Sequence, residues 1–319
     1  MPMRVLITGG SGFIGCHLLE ALLRRGAAVR VMDNLATGHR ANLAQALAHV
    51  GAQGEFTFVQ GDIRDRAAVR EVVRGTDFIL HQAALPSVQR SVEDPLTSNS
   101  VNVEGTLNVL VAARDAGVKR VVYASSSSVY GDSHQLPKIE HMATHPQSPY
   151  AVSKLAAEEY CRAFTRVYGL ETVSLRYFNV FGPRQDPNSL YAAVIPRFID
   201  ALLDNKSPII YGDGTQSRDF TFIENVVQAN LLALSAVGIA GEAFNIACGE
   251  SVNLQSVLQL LAEFIDQTVQ PEYRAPRAGD VKHSLADISK AERMLGYRPV
   301  IPFREGLRQT LEYFRQRRA

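Results

Sequence analysis

The chain has 319 residues, 46% of them apolar and 20% charged, with a formal net charge of +1. That balance creates no global field favouring nucleic acid or an anionic membrane, and the longest apolar runs fall far short of the ~18–20 residues a membrane span needs. MPMRVLITGG reads as a strand rather than a signal-peptide core, and three widely spaced cysteines, Cys16, Cys161 and Cys248, fit a reducing cytoplasm without a disulfide framework.

In chain order, the β-branched stretch RVLITG (4–9) predicts a strand, and GFIGCHLLEALLRRG (12–26) has helical spacing with Gly26 as its stop. AAVRVMD (27–33) and EFTFVQGD (55–62) predict two more strands, with a helix over 64–74 after the second. TDFILHQAA (76–84) predicts a fourth strand, 95–117 one long helix, and KRVVYASS (119–126) a fifth strand. A helix over 149–168 and a strand over 171–179 follow. Strands alternating with helices imply βαβ units and right-handed crossovers. The expected fold is α/β: a Rossmann-like doubly wound parallel sheet that binds its ligand beyond the C-terminal strand ends. After residue 180 the alternation breaks down. Segment 181–218 reads as loop-rich, with Pro183, Pro187, Pro196 and Pro208, and 250–319 as helices, loops and short strands. The expected division is a dinucleotide-binding domain over 1–180 and a smaller α/β substrate domain over 181–319. Segment 218–247, strand then helix, returns to the first.

ITGGSGFIG places Gly9, Gly12 and Gly15 between a strand and a helix, a G-x-x-G-x-x-G variant of the dinucleotide fingerprint. Such a turn lets the backbone approach a pyrophosphate, which the helix N-terminus then meets with free N–H groups and a positive dipole end. Asp33 ends the second strand 18 residues after Gly15. A carboxylate there accepts from both adenosine ribose hydroxyls and repels a 2′-phosphate, which favours NAD over NADP. Asp62, closing the third strand, reaches toward the adenine amino group or caps the next helix.

Ser148-Pro149 has the signature of a helix start, and Tyr150 and Lys154, four residues apart, share one face. A free phenol has a pKa of ~10 and is a poor base at neutral pH. A neighbouring ammonium, with a positively charged nicotinamide, would lower it and make Tyr150 a usable acid or base. Ser126 stands at the end of the fifth strand, where its hydroxyl can hold the same substrate oxygen. The run VVYASSSSVYGD (121–132) thus predicts a polar floor at the mouth of the sheet.

TGGSGFIG, the Ser…Tyr-x-x-x-Lys set and the segments LRYFNVFGPRQDP, AAVIPRFI, YGDGTQSRDFTFIENVVQA and RAGDVKHSLADISKAERMLGYRP together resemble the extended short-chain dehydrogenase/reductases. Within them the chain is similar, over nearly its whole length, to nucleotide-sugar 4-epimerases. The greatest likeness is to the bacterial UDP-N-acetylglucosamine 4-epimerases. The resemblance implies a tightly held NAD, contacted by Gly9, Gly12, Phe13, Ile14, Gly15, Asp33, Asn34, Asp62, Ile63, Ala83, Ala84, Asn102, Tyr150, Lys154 and Tyr177. It implies that Tyr150 takes the proton of the sugar 4-hydroxyl, that Ser126 bridges to that oxygen, and that Lys154 holds the nicotinamide ribose. A transient 4-keto sugar then turns over in the pocket. It also implies a homodimer built on the 95–117 and 149–168 helices.

By the same likeness Asn179 contacts the sugar, Arg218 and Arg277 bind the diphosphate with guanidinium forks, and Asp280 accepts from the uridine ribose. Tyr211 stacks on uracil, and Ala193 and Val194 offer backbone to its edge. Ser284 occupies a place beside carbon 2 of the sugar, where a tyrosine favours plain hexoses and a small residue leaves room for an N-acetyl group. With Ser127, Ser128 and Gln185 it points to UDP-GlcNAc and UDP-GalNAc. Pro86 stands where relatives carry glycine, which changes the loop beside the sugar. Asp213-Gly214 reads as a turn. His134, His141 and His145 match no zinc spacing, so no metal is expected. Dehydratases on this scaffold carry an Asp-Glu pair where Ser127 and Ser128 stand. The alternatives kept open are a 4-epimerase of UDP-glucose/UDP-galactose or UDP-glucuronate, and a non-catalytic NAD-binding regulator.

Overall fold

The computed structural model of the chain describes residues 2–51, 54–187, 193–275 and 282–318. The first half alternates strand and helix: β1 (Arg4–Thr8), α1 (Phe13–Leu23), β2 (Ala28–Asp33), α2 (Arg40–Val50), β3 (Glu55–Gln60), α3 (Arg66–Val73) and β4 (Phe78–His81). Then come α4 (Val88–Glu93), α5 (Pro95–Asn99), α6 (Gly105–Asp115), β5 (Arg120–Ser126), α7 (Pro149–Tyr168) and β6 (Glu171–Tyr177). The second half holds β7 (Val180–Phe181), α8 (Val194–Leu203), β8 (Ile209–Tyr211), β9 (Ser217–Arg218), β10 (Thr221–Phe222), α9 (Ile223–Ser235) and β11 (Ala243–Ile246). It ends with β12 (Val252–Asn253), α10 (Leu254–Ile265), β13 (Glu272–Arg274), α11 (Ser289–Leu295) and α12 (Phe303–Gln316).

Seven strands form one sheet in the order β11-β6-β5-β4-β1-β2-β3, every neighbouring pair parallel. A parallel sheet is buried on both faces, and the side chains divide by strand alternation. Val5, Ile7, Val29, Val31 and Val122 pack with α1, α2 and α9 on one face. Leu6, Met32, Ile79, Val121 and Tyr123 pack with α3, α6 and α7 on the other. The crossover through α9 returns the chain to the sheet, where β11 pairs with β6.

Two readings differ from this structure. The stretch 95–117 is not one regular helix: a π turn over Ser100–Glu104 joins α5 to α6. The turn carries Asn102, 1% exposed, among buried polar partners. Segment 181–218 contains the ten-residue α8, whose Ile195, Phe198, Ile199 and Leu202 fill one face. Its Pro196 falls in the first turn, where a missing N–H costs nothing. Helix α2 was not assigned from the sequence, although Leu43, Ala46 and Val50 keep helical spacing on its buried face.

Candidate active site

β1 runs directly into the glycine turn. Gly9 has φ +72, and a Cβ there would lie 2.6 Å from the Ala83 backbone nitrogen. A Cβ on Gly15 would lie 2.2 Å from the Gly9 carbonyl oxygen, so α1 packs onto the turn only without a side chain. Gly12 is the N-cap of α1 and supplies no side-chain cap. The first-turn N–H groups at Phe13 and Ile14 therefore keep their capacity for an anion. Ser11 adds a buried hydroxyl oxygen without a partner among the described residues. At the end of β2 the two Asp33 oxygens accept one backbone N–H each, from Ser11 at 2.9 Å and Leu35 at 2.8 Å. Each oxygen keeps a further lone pair for a hydroxyl. This cradle fits NAD.

Beside it, Asn34 donates to Asp62 at 2.8 Å, and Arg64 grips the same carboxylate at 2.9 and 2.7 Å. The Arg64 hydrogen bond holds the Asp62 carboxyl well below its usual range. Asp62 does not cap α3; Asp65 does, accepting from Ala67 and Ala68. Ile63 is buried against Gly105, where a Cβ would come within 2.6 Å of it. Ala83 and Ala84, both half-buried, follow the end of β4.

β5 delivers Ser126 at the mouth of the sheet. Its Oγ accepts from the Ser128 N–H at 3.1 Å and caps a 3-10 turn over Ser127–Tyr130. Ser148 caps α7 through the Ala151 N–H, with Pro149 in its first turn. One turn apart on that helix, Tyr150 is half-buried and Lys154 is 4% exposed. The Lys154 Nζ donates to the Ala124 carbonyl at 2.8 Å and lies 6.0 Å from the centre of the Tyr150 ring. Burial pulls the Lys154 ammonium down to about 7. Burial also pushes the Tyr150 phenol up to about 12, with the Ser126 hydroxyl acting in the opposite sense. The lowering expected from the sequence joins the ammonium to the charge of a bound nicotinamide. Burial disfavours the phenolate, and the Lys154 ammonium, itself disfavoured by burial, is directed at the Ala124 carbonyl.

Several residues at this centre had no assignment from the sequence. The Tyr150 N–H donates to Ser91 Oγ at 2.9 Å, and its carbonyl accepts from Ser153 Oγ at 2.8 Å. Ser153 in turn accepts from Asn102 at 3.0 Å, whose Oδ1 takes the Leu85 N–H at 2.8 Å. The Asn102 amide, expected at the cofactor, thus binds protein at both ends. Tyr177, also expected there, is 8% exposed, and its hydroxyl lies 3.1 Å from Asn230 and 3.2 Å from Gln82. Ser125 donates to Glu158 at 2.6 Å, and Arg176 grips Glu158 at 2.6 and 3.1 Å. Glu158 lies four residues beyond Lys154, on the face that carries Tyr150, a repeat that could have drawn notice.

At the far end, Asn179 has φ +32, and its amide donates to the Asp219 carbonyl at 3.0 Å and to Ser284 Oγ at 3.1 Å. A cleft of about 490 Å³ is lined by Asn179, Ala193, Val194, Tyr211 and Arg218, among others. It gathers five of the expected substrate residues but does not reach Ser126 or Tyr150. Arg218 also donates to the Ser217 and Lys282 carbonyls at 3.0 Å. Among the described residues Ser128 Oγ and Gln185 Oε1 are buried without partners, while Gln185 Nε2 donates to the Val180 carbonyl at 3.1 Å. Arg277 and Asp280 lie outside the described residues. Asp213 closes its turn onto Thr215 at 2.9 Å. Pro86, His134, His141 and His145 are exposed.

The sequence profile of the NAD dependent epimerase/dehydratase family matches residues 5–247. The chain is 38% identical over 317 residues to a UDP-glucose 4-epimerase of Mycolicibacterium smegmatis, covering 99% of each. It is similar to a UDP-N-acetylglucosamine 4-epimerase from Methanobrevibacter ruminantium solved with UDP-N-acetylmuramic acid. That match has a TM-score of 0.93 and 38% identity, over 99% of this chain and all of the other. A UDP-glucose 4-epimerase of Thermus thermophilus solved with NAD matches with a TM-score of 0.86 and 39% identity, over 98% of this chain and 99% of the other.

Proposed function

The chain belongs to the NAD dependent epimerase/dehydratase family, and from that premise we propose that it interconverts UDP-GlcNAc and UDP-GalNAc at carbon 4. Its class is plain: an isomerase, an NAD-dependent 4-epimerase of UDP-sugars. The acetylated substrate rests on Ser284. Relatives named for glucose and for N-acetylglucosamine are equally similar. Ser284 is small, and its hydroxyl is held by Asn179 at 3.1 Å, which leaves room beside carbon 2 of the sugar.

NAD, when bound, supplies the reversible oxidation at carbon 4 and a positive charge that opposes the burial of the Tyr150 phenol. The glycine turn and the first turn of α1 hold its pyrophosphate and Asp33 its ribose, with Asn34, Asp62, Ile63, Ala83 and Ala84 beside them. Tyr150 moves the proton of the sugar 4-oxygen, and Ser126 holds that oxygen. Lys154 orients the nicotinamide ribose. Ser127, Ser128 and Gln185 bind sugar hydroxyls, the last two through oxygens that lack a protein partner. Arg218 binds the diphosphate, and Tyr211 stacks on uracil beside Ala193 and Val194. Segments 1–180 and 218–247 form the cofactor domain and the remainder the substrate domain. The chain acts in the cytoplasm, where its three free thiols remain reduced.

The test is a side-by-side assay on UDP-GlcNAc and UDP-Glc without added reductant. Much faster conversion of the acetyl sugar supports the reading, and Ser284→Tyr should remove more of that activity than of the hexose activity. Equal rates on both sugars would discard the Ser284 argument and leave the epimerase class standing.

A further inference from the structure

Asp219 follows Arg218 and is fully buried. Among the described residues no cation pairs with its carboxylate. Three backbone N–H groups do: Cys248 to Oδ1 at 2.9 Å, and Gly249 and Ala286 to Oδ2, each at 3.1 Å. Its main chain is engaged as well. The carbonyl accepts from Asn179 at 3.0 Å, and the N–H approaches Ser284 Oγ at 3.4 Å. One side chain thus ties three separate segments, 217–222, 248–249 and 284–286, around the residues assigned to the sugar and the diphosphate. A buried carboxylate without a counter-ion is costly unless its hydrogen bonds repay it. A turn needing only a backbone tie could use Asn or Ser.

We propose that Asp219 is the positioning residue of the substrate pocket, its carboxylate fixing the Ser284 segment and Asn179 against the strand that carries Arg218. The inference rests on the UDP-sugar reading above. Bonds to an ionised carboxylate are about twice as strong as neutral ones, so protonating Asp219 loosens all three ties together. Burial raises the carboxyl to about 6, which places that loosening just below neutrality.

Other groups also face it. The Cys248 thiol is pushed up to about 12 and the Tyr297 phenol well above its usual value, both by burial. The Glu250 backbone follows on the same side. Arg218 donates to the Ser217 and Lys282 carbonyls, and Lys282 Nζ lies toward Asp213, at 3.8 Å. The neighbouring imidazole, His283, is bound to Ser217 Oγ at 2.9 Å.

The experiment uses the NAD-loaded enzyme and measures kcat, KM and the equilibrium Kd of UDP-GlcNAc from about pH 7.5 to about pH 5. In the unaltered chain KM and Kd should rise on the order of tenfold toward acid, while kcat changes less than about threefold. Asp219→Asn should show the raised KM already at the upper pH, a flat profile, and undiminished bound NAD. His283→Gln should keep the unaltered profile.

Flat KM and Kd in the unaltered chain overturn the proposal even if Asp219→Asn fails to fold. So does a pH dependence that persists in Asp219→Asn or disappears in His283→Gln. If no UDP-sugar turns over, the functional reading fails by itself. The Kd series then still decides the positioning role: the acid rise supports it and a flat series refutes it.

Discussion

Tyr150 is fixed by its own main chain. A phenol must sit within hydrogen-bond reach of the proton it moves, and a helix start is the place where backbone N–H groups lack partners. Ser91 supplies that partner for Tyr150, and Ser153, backed by Asn102, holds its carbonyl. Tyr150→Phe should abolish epimerisation while NAD stays bound, checked by turnover and by cofactor absorbance after denaturation. Ser91→Ala leaves a buried N–H unpaired. It should lower kcat about tenfold with KM nearly unchanged, measured by steady-state kinetics. The Tyr150–Lys154 pair was legible because both ends lie on one helix turn. The Ser91 contact was not, because 59 residues separate donor and acceptor and no local pattern encodes such a meeting. Ser125 is similar: the serine run was visible, but its partner Glu158 is set by how α7 lies on β5 and β6. The burial of the Tyr150 phenol was also hidden, since it depends on packing rather than on neighbouring residue types.

α7 joins chemistry to scaffold. Its first turn carries Tyr150, its second Lys154, and its third Glu158, 1% exposed, paired with Arg176 of β6, 2% exposed. Arg176 also donates to the Tyr130 hydroxyl at 2.8 Å, which donates to Asn245 of β11 at 2.6 Å. Burying an ion pair is worth little beside an apolar substitute, but removing one member strands the other charge. Glu158→Gln should therefore cost about 3–5 kcal/mol, read as a lower denaturant midpoint with an unchanged slope. The start of α7 was legible from Ser148 and Pro149, because caps are local chemistry. The π turn before α6 was missed because no Gly or Pro within Ser100–Glu104 marks it. α8 was hidden by prolines that sit where a helix tolerates them.

The buried imidazoles set the response of the fold to acid. Burial lowers His17 to about 4 and His81 to about 3, from an ordinary 6.5. The unfolded chain then binds more protons than the fold below 6.5, so this contribution is complete above 6.5 and is lost as pH falls toward 3. Asp219, raised from 3.8 to about 6, has the opposite sign: the fold gains from its protonation as pH falls from 6 to 3.8. Two large shifts outweigh one smaller one. Denaturation midpoints should fall between about pH 6.5 and pH 4, by an amount equivalent to several kcal/mol. The parallel sheet behind these groups was legible because its period alternates along the chain; the packing that dries the histidines was not. The same helices also present an uncovered surface. Val152, Tyr160 and Val167 of α7 are 52%, 39% and 67% exposed, with Ala156 and Ala163 between them at helical spacing. On α4 and α5, which pack against α7, Val88, Val92 and Leu96 continue the apolar surface at 42%, 63% and 82%. Contiguous exposed apolar surface on a globular chain marks an interface, and a two-fold pair would place this face against its own copy. Light scattering should give twice the 35.0 kDa chain mass. Val152→Asp combined with Leu96→Asp should give a single chain that keeps its NAD, since neither residue lies in the cradle. A monomeric mass for the unaltered protein, or a dimer that survives both charges, would assign that surface to something other than self-association.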